Sequence, residues 1–291
     1  MKASEFTAIT ISLNSIDRLE IMLKSLRSSF SGEIITIDGT SYDGSFEIAK
    51  KYSDIALQTP RGCHRQISAG VEKCSSKFVI LAENDIFYKK DFINSFIEEY
   101  LSSDFEVMQS KVSIENTKTI WEFFHKLFLD LHQVYPKERF DISGPSIWPK
   151  KLLIKCLKDM DGLDCNQSLC FDTSISEFLK KNSIFSGYGE TSFPESVDID
   201  FARFMKRHIN YGIGDYEFYR DNRIKWNLIR KMMSLTHVFR KYWIMYPIKA
   251  IRFGINPIVI PYLVLIGLVR NYGFLKSILK NLFNHKLLSR L

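Results

Sequence analysis

The sequence predicts an α/β fold with a mostly parallel central sheet, followed by a helical C-terminal region that is both basic and apolar. Three observations carry this. Over the first hundred residues, short β-rich apolar runs alternate with segments of helical periodicity, joined by brief polar connections. Each apolar run delivers polar residues at its end: Asn14, then Asp38, then Glu83 with Asp85. Charge is also divided along the chain. Residues 1–200 hold 23 Lys/Arg against 30 Asp/Glu, residues 201–291 hold 17 against 3, and from Asn222 onward there is no acid.

The elements follow in order. Residues 7–13 (TAITISL) read as a first strand, and Ile16, Leu19, Leu23 and Leu26 then recur at helical spacing. Residues 33–38 (EIITID) form a second strand, a polar turn GTSYDGS follows, and residues 45–52 a second helix. Residues 55–57 make a short third strand and residues 62–73 a helix carrying His64 and Arg65. Residues 78–82 (FVILA) form a buried strand that stops at Glu83-Asn84-Asp85. Residues 91–101 read as a helix, 105–114 as an edge or antiparallel strand, and 119–135 as an apolar helix covering the sheet or walling an acceptor site. Residues 142–148 (ISGPSIW) lead into a helix at 149–157, and Phe171-Asp172-Thr173 opens another through residue 181. Residues 198–211 read as a helix ended by Gly212.

In a parallel sheet the strand ends that carry Asn14, Asp38, Glu83 and Asp85 lie along one edge, where open α/β sheets bind ligands. Hard carboxylate oxygens there suit Mg²⁺ or Mn²⁺ carrying a phosphate. Acidic loops that merely cap strands are the plainer alternative. Asp172 is either a first-turn acid of its helix or a general base lining the cleft. Five cysteines (Cys63, Cys74, Cys156, Cys165, Cys170), odd in number and without CxxC spacing, argue for reduced thiols and against zinc. The first residues lack the apolar core of a signal peptide, so the expected location is cytoplasmic or peripheral on the cytoplasmic face of a membrane.

These pieces, in this order and spacing, resemble the family 2 glycosyltransferases of GT-A fold over about residues 7–215: TAITISLN, EIITIDGTSYDGSFEIAKKY, GCHRQISAG, KFVILAENDIFYKKDFI, SGPSIWPKKLL, FDTSISEFLKKN and RFMKRHINYGIG. The resemblance implies an inverting transfer of a sugar from a nucleotide-diphosphate sugar to a glycan or lipid-linked acceptor. It places Asn14, Asp38, Asp43, Arg65, Glu83 and Asn84 at the donor. It assigns the divalent cation to Asp85 and Glu83, and the catalytic base to Asp172. Arg65 stands in an element usually written A-R-N, with Gln66 where Asn is usual. Three further positions depart from the pattern: Glu83 replaces a first Asp, Gly39 stands where a second Asp often occurs, and Phe171 replaces an acid before Asp172. Asp161 and Asp164 are fallback bases.

The domain division drawn from the sequence is 1–220 for the glycosyltransferase domain and 221–291 for the basic, apolar region. Residues 254–269 are uncharged but interrupted by Pro257 and Pro261, which suggests an interfacial or re-entrant segment meeting an anionic membrane surface. A buried helix with a solvated basic face is the alternative. A nucleotidyltransferase would carry a Gly-rich loop after the first strand, whereas this loop reads NSIDRLE. A non-catalytic GT-A scaffold stays open on the three departures. No stacking-module pattern of a nucleic-acid binder is present.

Overall fold

A computed structural model describes residues 3–134, 144–163, 170–195 and 197–288, with only the backbone of residues 3 and 283–288. The chain forms two compact units that interleave in sequence: Met1–Glu115, Tyr135–Gly162 and Phe171–Val197 in the first, and Asn116–Val134, Leu163–Cys170 and Asp198–Leu291 in the second.

The first unit is built on a seven-stranded sheet. Its strands are β1 (Phe6–Ser12), β2 (Glu33–Asp38), β3 (Ile55–Gln58), β4 (Phe78–Leu81), β5 (Val107–Ser113), β6 (Ser146–Pro149) and β7 (Ser186–Pro194), in the order β3-β2-β1-β4-β6-β5-β7. β1 pairs in parallel with β2 and β4, β2 with β3, and β5 with β7; β6 alone runs antiparallel to both its neighbours. The crossover helices are α1 (Ile16–Ser29), α2 (Ser45–Tyr52), α3 (Cys63–Lys73), α4 (Phe92–Ser102), α6 (Lys150–Asp159) and α7 (Phe171–Lys181). Ile9, Ile35, Ile37, Val79 and Leu81 pack with Ile67 and Val71 of α3 and with Leu153, Leu157, Phe171 and Phe178 of α6 and α7. On α4, Ile93, Phe96 and Tyr100 are buried, with the Tyr100 ring edge-on to Phe78 at 5.7 Å. Continuous burial along β1, β2 and β4 matches their uninterrupted apolar runs.

Several elements differ from the sequence expectation. β5, expected as an edge or antiparallel strand, is antiparallel to β6 but internal, with β7 parallel on its other side, so its polar Gln109 and Ser110 are buried rather than solvent-facing. Residues 146–149, expected as a lead-in to a helix, form β6, with Pro149 ending the strand and starting α6. β7 had no expectation at all; Gly187, Gly189 and Pro194 hide its strand character.

The second unit is helical: α5 (Ile120–Gln133), α8 (Phe201–Asn222), α9 (Leu228–Leu235), α10 (His237–Phe239), a π-helical stretch (Arg240–Met245), α11 (Tyr246–Arg252) and α12 (Val259–Leu288). α5 packs within this unit. Thr119 and Glu122 cap its start in a reciprocal capping box, and its Trp121 and Phe124 rings lie 5.0 Å from Phe204 and 5.3 Å from Tyr262. α8 runs through Gly212, which therefore is not a helix end. A Cβ at Gly212 would lie 1.9 Å from the Arg270 carbonyl oxygen, and one at Gly273 would lie 2.2 Å from that of Ile209. The two glycines let the α8 and α12 backbones touch. Beside them Arg270 Nη2 donates to Asp215 Oδ1 at 2.8 Å and Nη1 to Tyr242 Oη at 2.8 Å. Pro257 precedes α12 and Pro261 falls in its first turn, where proline is tolerated, so the helix is not interrupted. By length and composition Val259–Leu282 is long and apolar enough to cross a membrane.

Candidate active site

The site is built at the C-terminal ends of β1, β2 and β4. Asp38, the last residue of β2, is fully buried. It accepts from Ser12 Oγ (3.0 Å), the Ser41 amide (2.8 Å), Ser41 Oγ (2.5 Å) and Gln58 Nε2 (3.1 Å). Its oxygens are thus occupied in holding the β1 and β2 loops. Asp43 accepts from the Ile16 amide at 3.1 Å and from the Ser45 amide and hydroxyl at 3.0 and 2.6 Å. One carboxylate so caps the starts of α1 and α2. Burial opposes its ionisation, but the bonds from Ser45 and Ile16 outweigh this and hold its pKa below the ordinary range.

Asn14 turns through φ +47°, accepts the Tyr42 amide at 3.1 Å on its side-chain oxygen, and is otherwise exposed. Arg65 is exposed on α3 and donates to the Arg61 carbonyl at 2.9 Å. Gln66, beside it, is buried. Its Nε2 donates to the carbonyls of Ser12 (3.0 Å) and Ile37 (2.9 Å), and its Oε1 accepts the Gly62 amide (3.3 Å). One amide therefore pins the ends of β1 and β2 to the start of α3.

After β4 the chain is tied back by the Ala82 amide on the Ile9 carbonyl (2.8 Å) and by Asn84 Nδ2 on that of Ile11 (3.2 Å). The buried Tyr88 hydroxyl donates to the Glu83 carbonyl at 3.3 Å. Ile86 bridges Glu195, and the Phe87 amide donates to Pro194 at 2.9 Å, which brings the end of β7 alongside. Three carboxylates act on Glu83: Asp85, Asp172 and Glu195. Enclosure first, then Asp85, Asp172 and Glu195, push the Glu83 carboxyl up, to about 8. By area Glu83 is exposed, yet protein surrounds it densely. Water still reaches it, so the clustered carboxylates are the firmer cause of the upward direction.

Cys63, the first residue of α3, is pushed up to about 11 by burial, then by Asp172 and Glu83. The starts of α3 and α7 and the end of β4 thus share one space. Asp172 lies exposed in the first turn of α7. Its neighbour Phe171 is buried in the core. Asp161 lies 3.4 Å from His64 Nε2 and is not among the groups that shift Glu83. Asp164 lies outside the described residues.

Among the described residues no group of three or more His, Cys, Asp or Glu side chains is arranged to hold a metal ion. The donor set still fits a hard divalent cation of the Mg²⁺ type, which takes one or two carboxylates and completes its shell with phosphate oxygens and water. Two acidic side chains on one loop, Glu83 and Asp85, with further carboxylates acting on Glu83, meet that description, since a cation there would offset their mutual repulsion. Glu195, Cys63 and Gln66 were not assigned roles from the sequence. Glu195 carries the same strand-end signal as Asp38 and Glu83, once β7 is seen as a strand.

Comparison with known proteins bears on the family and the fold. The sequence profile described as Glycosyl transferase family 2 matches residues 7–157. No curated protein matches the sequence. Among solved structures, the mannosyltransferase PcManGT from Pyrobaculum calidifontis, in complex with GDP-Man and Mn²⁺, superposes with a TM-score of 0.55 at 12% identity, covering 90% of this chain and 73% of that one. TarS residues 1–349 from S. aureus, in complex with UDP-GlcNAc, gives 0.53 at 12% identity, covering 87% and 76%. Against the longer S. aureus TarS structure the score is 0.51 at 13% identity, and the chain spans 44% of that protein's length. At these identities the likeness is one of fold.

Proposed function

The chain belongs to glycosyl transferase family 2, and on that premise we propose that it is an inverting glycosyltransferase using a nucleotide-diphosphate sugar. What supports the reading is the place of Glu83 and Asp85 on the loop after β4, at the C-terminal edge of the sheet, with Asp172 in the first turn of α7 near enough to act on the Glu83 carboxyl. Asp85 and Glu83 would hold a divalent cation, Mg²⁺ or Mn²⁺. When bound, it supplies positive charge to a diphosphate leaving group.

The chain's own residues do the rest. Asp172 accepts the proton of the acceptor hydroxyl as that oxygen attacks the anomeric carbon. The carbon–oxygen bond to the diphosphate breaks with its electron pair leaving on the nucleotide, so a single displacement inverts the centre. Asn14 and Arg65, exposed near the β1 and β2 ends, contact the donor. Asp38, Asp43 and Asn84 act through the loops they fix, because their oxygens or amide are committed to protein partners. Acceptors of the expected class are hydroxyls of a glycan or lipid-linked glycan, with a hexosyl group transferred.

The test is a screen of nucleotide sugars for thermal stabilisation with and without Mn²⁺ or Mg²⁺, since a ligand of the folded state alone raises its Tm. The cognate donor is expected to stabilise only with metal. Asp172→Asn should keep that stabilisation and lose turnover by about 10²-fold or more, whereas Asp161→Asn should keep both. Donor binding without turnover in the wild-type chain, across glycan and lipid-linked acceptors, would favour the non-catalytic scaffold. An Asp172→Asn enzyme with near-full turnover removes Asp172 from the role.

A further inference from the structure

The second unit turns part of its apolar surface outward. Of the twenty-six large hydrophobic side chains exposed among the described residues, nineteen lie between Ile224 and Leu282, although this stretch is about a fifth of the chain. α9 makes the point locally. Leu228, Ile229, Met232 and Met233 occupy one side of the helix at the i, i+1, i+4, i+5 spacing that normally faces a core. All four are exposed, Leu228 and Ile229 at 74% and 71%, while the buried residue of α9 is Ser234. The same inversion continues through the π-helical stretch and α11, where Ile248 and Ile251 are exposed at 60% and 68% and Lys249 is buried with its ammonium on the Leu131 carbonyl. Exposed apolar side chains concentrated in this way mark a contact surface.

The charge around it selects the partner. From residue 222 onward the sequence has thirteen Lys/Arg and no acid. Arg223, Lys225 and Arg252 are exposed at the two ends of the apolar stretch. Two copies of such a surface would bring like charges together, and a neutral apolar partner would leave the basic rim unmatched. An anionic lipid surface satisfies both parts, taking the apolar side chains at its acyl boundary and the cations at its headgroups. The uncharged stretch at residues 254–269 contributes less to this face, because Val259, Leu263 and Ile266 are fully buried.

We propose that the outward apolar face of α9, the π-helical stretch and α11 seats the protein in the interfacial layer of a membrane containing anionic lipid. The proposal is independent of the reaction assigned to the first unit. The test uses the full chain floated with vesicles of phosphatidylcholine alone and of phosphatidylcholine with phosphatidylserine, in low and high salt. Binding is expected to the anionic vesicles, weaker in high salt and on neutral vesicles. Ile229→Glu with Met232→Glu, and separately Ile248→Glu with Ile251→Glu, should each lower the vesicle-bound fraction by about tenfold or more. Unchanged circular dichroism and unchanged nucleotide-sugar thermal shifts establish that these variants are folded. Variants that float as well as wild type overturn the proposal. So does equal binding to neutral and anionic vesicles, and so does a wild-type chain that ignores vesicles but forms a dimer which the substitutions dissolve.

Discussion

Gly39 and Gln66, two departures from the family's usual pattern, occupy one space. A Cβ at Gly39 would lie 3.2 Å from Gln66 Nε2 and 3.3 Å from its Oε1 and from the Ser12 carbonyl. The longer amide at 66 fills what a side chain at 39 would take, and from there reaches the Ser12 and Ile37 carbonyls. Gly39→Asp alone is therefore expected to cost about 1–3 kcal/mol, because it displaces an amide that satisfies buried carbonyls. Gly39→Asp with Gln66→Asn should cost less than the two single changes summed. A urea-unfolding double-mutant cycle reads this, and additivity within about 0.5 kcal/mol would remove the coupling. Phe171 is a third departure with a packing cause: the position ahead of Asp172 points into the core with Trp148, Ile175 and Phe178. Phe171→Asp should not supply a second acid. It should cost about 3 kcal/mol or more, through a lost aromatic and a buried carboxyl, visible as a lowered urea midpoint. The acids at 83, 85 and 172 are picked out by strand ends and family motifs. The couplings at 39/66 and the burial of 171 are not, since they depend on which side chains meet across β1, β2 and α3.

Elements with uninterrupted apolar runs or clean helical spacing were legible nearly to the residue: β1 through β4 and α1 through α4. The second half of the sheet was not. β6 is four residues ending in proline and β7 carries two glycines, so neither shows a readable period; β5 reads as a strand, but its polar side chains hide its place inside the sheet. Glycines inside helices were ambiguous for the same reason. At Gly212 the sequence suggests a helix end, while the structure uses the missing side chain for contact with α12. Gly70 does this in the first unit: a Cβ there would lie 2.5 Å from Ile37 Cδ1 and 2.9 Å from Ile9 Cγ2. Gly70→Ala meets the ends of side chains that can shift, so a loss of about 1–3 kcal/mol is expected. Gly212→Ala meets a backbone carbonyl at 1.9 Å, which no rotamer relieves. It should be the more damaging of the two in thermal unfolding, despite alanine's higher helix propensity. The reverse ranking would show that α8 and α12 are not in backbone contact.

At the scale of the whole molecule, the two units answer to pH through different groups, and the helical one through buried histidine. His125 and His208 are both buried, at 3% and 4% exposure. Burial, then Arg207 and His208, lowers His125 well below the usual value; burial, then Arg270 and Arg207, lowers His208 to about 3. Arg207 Nη1 lies 3.4 Å from His125 Nε2, which fits a neutral ring accepting at that nitrogen. The unfolded chain protonates its histidines near 6.5, above both folded values, so below that pH it binds more protons than the folded state does. The histidine contribution is thus complete above about pH 6.5 and falls as pH drops toward the folded values, by at most about 1.4 kcal/mol per histidine per pH unit. Asp215, held below its ordinary value against burial by Arg270, acts in the same direction. Its loss begins only near the ordinary aspartate range, around pH 4. The interval from about pH 6.5 to 4.5 lies above the aspartate range; there Glu83, raised to about 8 in the folded chain, acts against the fall, but the two histidines outnumber it. In thermal melts of the full chain, Tm should fall steadily through that interval. His208→Phe should flatten the fall, since it keeps a ring against Phe204, 4.6 Å away, and removes a ring nitrogen, Nδ1, that has no hydrogen-bond partner. A variant whose Tm falls with pH as steeply as wild type would show that His208 does not titrate on unfolding.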